Sequence, residues 1–404
     1  MTEPVPRPSW TWVRGSLVAF SGAAMVLSWA TGARHDYVHY LEQWSHTMAG
    51  GDPWDQSLHG QNPGYGPLFN AFAPLAQLFS LLPKLGFTAA WIGTAVAVAR
   101  LYEADSDSRR LAPAVLAYFA LTPYFWIEIA LYGHFDILPA AATLASVHLT
   151  LKGRAPRGAG MILAMGALLK IVPAAALPFL VAARPHRWKA IVLPFAGTCA
   201  AVLLASYVIW GQSTFTALML PGRQESDLFS IFRFARGSYS PLRLITENPV
   251  LDAASIPLVI FAGALLVVML AWRRAHVVVS VVVTFMVLFA LFKLGHPQFQ
   301  MLVFVMVPYL LLTLPARTRG NRVLLKTLGV YVAWFSFLDL LYVAGNQLRE
   351  PPWVELREVL GLPTFVLTLI VAVLLLKFRH QPLVVPAPSG VGELARDTGG
   401  TGRL

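Results

Sequence analysis

Residues 277–315 read VVVSVVVTFMVLFALFKLGHPQFQMLVFVMVPYLLLTLP. Two very apolar runs, 277–292 and 299–315, flank one short polar turn that begins Lys293-Leu294-Gly295-His296-Pro297-Gln298. Each run is close to the length that crosses a hydrocarbon core roughly 30 Å thick. Lipid offers the backbone no hydrogen bonds, so both runs have to be helical. The pattern repeats on either side. Further apolar runs occupy 12–31, 86–102, 111–129, 136–151, 190–210, 254–272, 323–345 and 361–377.

The whole chain has the same bias. Of its 404 residues, 56% are hydrophobic and 13% charged, against about 25% charged in an ordinary soluble domain. The expected fold is all-α: a polytopic transmembrane helical bundle with about ten full spans. The first run is longer than a signal-peptide core, and no clear small-residue cleavage site follows it, so it reads as a retained helix. Residues 1–380 read as a single membrane domain, and 381–404 as a Pro/Gly-rich, disordered cytoplasmic tail.

A net charge of +11 invites a nucleic-acid partner. The cations sit instead in short loops between apolar runs, with no stripe of interleaved aromatics, so nucleic acid is excluded. Cys199 is the only cysteine, which excludes a disulfide and a thiolate metal site.

Loop charges set the expected orientation. Basic clusters at Arg109 and Arg110, at Lys152, Arg154 and Arg157, at Arg184, Arg187 and Lys189, at Arg273 and Arg274, at Arg317, Arg319 and Arg322, and at Lys377 and Arg379 belong in the cytoplasm. The acid-rich loops, with Asp36, Glu42, Asp52 and Asp55, then Glu225, Asp227 and Glu247, then Glu350, Glu355 and Glu358, face outward. Both termini are then cytoplasmic, in a plasma (inner) membrane. Parity holds only if 66–83 lies in the outer interface rather than crossing, beside a second outer-loop helix at 36–50. Residues 159–183 have basic loops on both sides and are too short for two crossings. Gly166 and Pro173 interrupt them, so a broken, re-entrant pair is expected.

Four features on the expected outer side carry chemistry. Asp36 follows the first helix in HDYVHYLEQW. It is either a solvated loop acid beside His35 or a carboxylate that takes a proton from a hydroxyl, its pKa raised by a low-dielectric surround. Tyr132-Gly133-His134-Phe135-Asp136 starts another helix. Asp136 there is an N-terminal cap, a site acid, or both, and Glu128 lies at a similar depth. Lys170, in GALLKIVPAA, suits either a structural ion pair or an anionic headgroup. The turn with Lys293, His296 and Gln298 suits a phosphate or a sugar hydroxyl, or is an ordinary polar turn. Arg223, Arg233, Arg236 and Arg243 in the loop 211–252 are surface charges or phosphate ligands. Acids for an acceptor hydroxyl and cations for a leaving phosphate, on one side, suit transfer of a sugar from a polyprenyl phosphate to an alcohol.

The order of these features resembles the GT-C glycosyltransferase superfamily, and most closely the family 87 (DUF2029-type) bacterial enzymes that use polyprenol-phosphate-mannose. The resemblance runs through Asp36 with Tyr37 and Tyr40, the Gly51-Asp52-Pro53-Trp54 turn, Tyr65-Gly66-Pro67-Leu68, the Gly133–Asp136 turn, Gly160 through Gly166 with Lys170 and Pro173, and His296-Pro297-Gln298-Phe299. It covers roughly 12–310. Tyr37 stands where Phe is more usual, and His134 where Gln is common. The resemblance implies that Asp36 is the catalytic base, that Asp136 is a second acidic position, and that Lys170 and His296 lie near the lipid phosphate or acceptor. Tyr40, Tyr65, His35, Glu128 and His134 complete the expected binding set. The donor is then a polyprenyl-phosphate-linked sugar, mannose by inheritance, and the acceptor a glycolipid or glycan. No metal and no cofactor are expected. A transporter or flippase would use the same charges as a translocation path, but no inverted repeat is visible. A third class is an inactive assembly subunit related to these enzymes.

Overall fold

The structure is a computed structural model that describes residues 10–55, 65–216, 229–236, 249–272, 275–292, 295–348 and 351–383. All regular structure among them is helical. The tail from 384, Lys293, Arg223 and Arg243 lie outside the described residues.

Among the described residues four helices are long and apolar enough to cross a membrane: Leu82–Ala104, Pro185–Phe215, Arg322–Gly345 and Val359–Leu376. A fifth candidate is bent. Arg109–Leu121 and Pro123–Leu131 meet at 50°, because Pro123 forces Thr122 out of the helical region to ψ 113°. The other expected spans are shorter apolar helices: Gly15–Ala30, Ile137–Lys152, Pro257–Leu270, Val277–Leu291 and Pro297–Thr313. The expected number of about ten crossings therefore rests on helices that length alone does not qualify.

Burial sorts the helices into an inner and an outer set. Val277–Leu291 has buried residues all round, from Val278 and Val279 to Val281, Val282 and Val283. Met301–Thr313 behind the polar turn is equally enclosed. Trp188–Trp210 buries little beyond Ile191 and Ser206. It presents Leu193, Leu204, Val208 and Ile209 to the surroundings, as a lipid-facing helix does.

The expected broken pair is present. Pro156–Leu169 ends at Lys170, whose backbone is extended, and the chain resumes at Val172–Ala176 and Leu177–Ala183. At 1.5 Å per residue neither leg spans the core alone. Both feet stand at the same end: Arg184 Nε donates to the Thr150 carbonyl at 3.1 Å, and Arg187 Nη1 to Gly153 at 2.9 Å. Arg319 does likewise for the Met301–Thr313 helix, donating to the carbonyls of Leu311 and Leu312 at 3.0 Å each. These arginines of the basic loops satisfy helix C-terminal carbonyls that have no partner inside the helix.

The first loop follows the expected order. Asp36–Met48 is a helix, and Pro67–Phe72 with Ala73–Leu78 forms a short helical segment before Leu82. An aromatic cluster glues the two together. The Tyr40 and Phe69 rings lie 5.0 Å apart, as do those of Trp44 and Phe69, and Trp44 Nε1 donates to the Phe69 carbonyl at 3.0 Å.

Candidate active site

Four pieces of chain meet at the end of the bundle opposite the basic loops. They are the start of Asp36–Met48, the turn 132–136, the break at Lys170 and the turn at 296–299. Lys84 pins two of them. Its buried ammonium donates to Thr31 Oγ1 and the Gly32 carbonyl at 2.8 Å each, and to the Leu131 carbonyl at 2.9 Å. Three acceptors compensate a charge that would otherwise be costly to bury. The sequence reading missed this residue, because a lysine near a helix end reads as one that reaches out to water.

Just after this anchor, His35 takes φ 52°, the only non-glycine residue with positive φ among those described. Such a conformation costs of order 1–3 kcal/mol and persists only where the surroundings impose it. It is the residue that delivers Asp36. His35 Nδ1 lies 3.3 Å from Asp36 Oδ1, and His134 Nε2 lies 3.2 Å from Asp36 Oδ2. His134 Nδ1 faces Glu128 Oε2 in a short contact. Carboxylate, imidazole and carboxylate thus form a line running from a quarter-exposed Asp36 into the interior, where Glu128 is 3% exposed. Glu128 sits on a widened π-helical turn, Trp126–Leu131. Turns of this kind are frequent at functional sites. In the same loop Gly133 has φ +75°, and a Cβ there would stand 2.8 Å from the Tyr37 ring. The turn therefore needs glycine.

The electrostatics of Asp36 differ from expectation. Burial raises its pKa, but the close imidazoles of His134 and His35 and the nearby charges of His134 and His296 more than offset it. Its carboxyl is held well below the ordinary carboxylate range. The expected upward shift neglected the two imidazoles. On His134, burial favours the neutral ring, but Glu128 and Asp36 win and push its pKa up to about 10.

Asp136 behaves differently. It stands at the N-terminus of Ile137–Lys152 but makes no capping bond. Its backbone is already helical there, and its side chain turns to Lys170, whose ammonium reaches Asp136 Oδ1 at 2.5 Å. The capping alternative is therefore replaced by an ion pair. Asp136 Oδ2 is buried with no partner. Lys170 Nζ also lies 4.2 Å from the centre of the Phe299 ring, a cation–π contact. That ties the helix break to the His296 turn, where His296 packs on Phe299 at 5.7 Å. Gln298 is buried and its Oε1 lacks a partner.

Tyr40 and Tyr65 feel the charges of both acids. Their hydroxyls are 3.4 Å apart, and burial first, then the charges of Asp36 and Asp136, push both phenols up. Tyr65 is set by Gly66, whose N–H donates to the Leu169 carbonyl at 3.1 Å. A Cβ on Gly66 would stand 1.9 Å from the Leu168 carbonyl oxygen, so only glycine lets this loop touch the end of the Pro156–Leu169 helix beside Lys170.

The structure thus gathers His35, Asp36, Tyr40, Tyr65, Glu128, His134, Asp136, Lys170, His296 and Gln298. Arg233 lies on Ile231–Arg236, where its N–H is bonded to Ser230 Oγ at 3.0 Å. That helix packs against Pro351–Leu376, and Ser230 abuts Gly295. Asp339, which the sequence reading did not single out, faces Glu128 from Arg322–Leu348. Its only sequence signal is an acid inside an apolar run. Next to His296 a small cavity of about 20 Å³ is lined by Phe229, Phe289, Phe299, Phe335 and Phe365 together with Gln300, Thr364 and Thr368. Among the described residues no group of His, Cys, Asp and Glu is arranged to hold a metal ion.

Residues 62–294, more than half of the chain, match the sequence profile of glycosyltransferase family 87. The matched stretch holds Tyr65, Glu128, His134, Asp136 and Lys170, while Asp36 and His296 flank it. No curated protein matches the chain. A many-helix protein with this profile and an acid–imidazole cluster at one end of its bundle has its family settled: the chain belongs to glycosyltransferase family 87.

Proposed function

We propose that the protein is an inverting glycosyltransferase that moves a sugar, mannose, from a polyprenyl-phosphate donor to a hydroxyl of a glycolipid or glycan on the extracytoplasmic face of the plasma membrane. One observation carries the reading. An ionised carboxylate, Asp36, is backed by imidazoles at 3.2 and 3.3 Å, and the cationic Lys170 and the imidazole His296 share its end of the bundle.

In this mechanism the acceptor oxygen attacks the anomeric carbon from the side opposite the phosphate. The carbon–oxygen bond to phosphate breaks, and polyprenyl phosphate departs with the electron pair. Asp36 takes the hydroxyl proton. A carboxylate held this low is a weak base toward an alcohol, so the proton moves late, after the forming bond has acidified the hydroxyl. Lys170 has three donors. One is committed to Asp136, which leaves the ammonium able to meet a phosphate oxygen as well. Attack opposite the leaving group inverts the anomeric centre.

The test is turnover by purified protein of a panel of labelled polyprenyl-phosphate sugars, with and without Asp36→Asn. The proposal expects transfer from the mannosyl donor and a loss of about 10²–10⁴-fold in the variant. Near-normal turnover by a folded Asp36→Asn rejects the base. Transfer from none of the donors rejects the reaction.

A further inference from the structure

Behind His134 lies a group that the proposed reaction does not use. Asp339 is 1% exposed, on the long Arg322–Leu348 helix. Its carboxyl faces that of Glu128, and neither of its oxygens has an aligned hydrogen-bond donor. The other ionisable groups facing this pair are phenols and the His134 ring. Tyr124 and Tyr132 feel both carboxyls, and Tyr342 packs on Tyr132 at 6.1 Å. The 297–300 turn packed against the same helix contributes Gln298 and Gln300, with His296 at its head. Residues 359–376 of the neighbouring helix carry no ionisable side chain. No described lysine or arginine is paired with Asp339 or Glu128.

An ionised carboxylate accepts hydrogen bonds and donates none. Two of them side by side in a buried place repel each other, and here Asp339 is left without a donor. One proton between them removes both costs, as in other close carboxyl pairs. With Glu128 already receiving His134 Nδ1, the vacant side of the pair is Asp339.

We propose that Asp339 is a positioning residue: it shares one proton with Glu128 and thereby keeps Glu128 an acceptor for His134, which stays doubly protonated against Asp36. The proposal rests on Asp36 acting as the base of a sugar transfer. Asp339 touches no reacting atom and acts through two intermediates. Glu128 does not take the His134 proton, because it already has a donor on its other flank. The imidazolium in turn keeps Asp36 ionised and aimed.

Asp339→Leu removes that donor. Glu128 then competes for the His134 proton, Asp36 loses its counter-charge, and its pKa climbs. The acid limb of kcat/KM should move to higher pH by about one unit. The assay is a pH profile with radiolabelled polyprenyl-phosphate-mannose and a membrane lipid extract as acceptor. Asp339→Asn, which keeps a neutral donor of the same shape, should return the limb to its wild-type position. A purely structural Asp339 would lower yield or Tm without moving the limb. If Asp339→Leu does not fold, infrared spectroscopy of the folded protein decides instead. A protonated-carboxyl stretch should be present in the wild type and absent from Asp339→Asn. An unmoved limb in Asp339→Leu, a limb displaced equally in Asp339→Asn, or a carboxyl band that survives Asp339→Asn overturns the proposal. Those results leave Asp36 untouched, whereas normal turnover by Asp36→Asn would sink the base assignment itself.

Discussion

Asp36 and Asp136 sit at the same end of one bundle and have opposite surroundings. Asp36 is 25% exposed and held by two imidazoles, His35 and His134. Asp136 is 0% exposed and held by one ammonium, Lys170. An imidazole partner orients a carboxylate while leaving part of it open to a substrate. An ammonium at 2.5 Å engages the carboxylate and is itself anchored by it. The same side chain is thus the proposed base in one place and the support of a cation in the other.

Substitution separates the two acids. Asp36→Asn should lose about 10²–10⁴-fold in turnover with donor binding kept. Asp136→Asn should lose about tenfold or less in the chemical step, and should mainly weaken donor binding by loosening Lys170.

Stability inverts the order. Lys170→Met strands a fully buried carboxylate and should cost about 3–5 kcal/mol. Adding Asp136→Asn should recover much of that, since the stranded charge is then gone. Removing the partly exposed Asp36 costs far less. Denaturant unfolding in detergent measures all of these, and additive losses in the double variant would dissolve the ion pair as a unit.

Gly66→Ala comes next. Its Cβ would meet the Leu168 carbonyl oxygen, so the loop must withdraw at a cost of about 1–3 kcal/mol. Tyr65 moves with it, and KM should rise alongside a lower Tm.

The His134 line gives a pH signature. Its folded pKa of about 10 lies above the ordinary 6.5. The stability it contributes is therefore complete below the unfolded value and is lost as pH rises through the folded one. Between those two values Tm should fall more steeply in the wild type than in His134→Gln.

The smallest effect is that of Tyr65→Phe. It removes one hydroxyl contact at 3.4 Å and should change kcat/KM by about tenfold at most.

Much of this was legible in the sequence, for reasons that differ by residue. The helices announce themselves because lipid and a packed interior both demand apolar runs. The broken pair was visible because Gly166 and Pro173 interrupt one such run, although the break itself falls at Lys170. The gathering of Asp36, His134, Asp136 and His296 followed from loop parity. Three things were not legible. The direction of the Asp36 shift depends on which rings face it, a three-dimensional fact. The choice of Lys170 over a helix cap by Asp136 depends on a backbone already helical at residue 136. Lys84 and Asp339 act through partners more than forty residues away in sequence, and an isolated charge in an apolar run does not reveal its partner.

The central claim is that Asp36, already ionised, takes the acceptor proton. Its most direct test is the single-turnover rate of sugar transfer, followed from pH 6 to 8 in the wild type and in Asp36→Asn. The account expects a wild-type rate that is flat across that range, since the carboxylate is held well below it, and a variant slowed about 10²–10⁴-fold at every pH. A wild-type rate that climbs through neutrality as some other group loses its proton, or a variant as fast as the wild type, would contradict it.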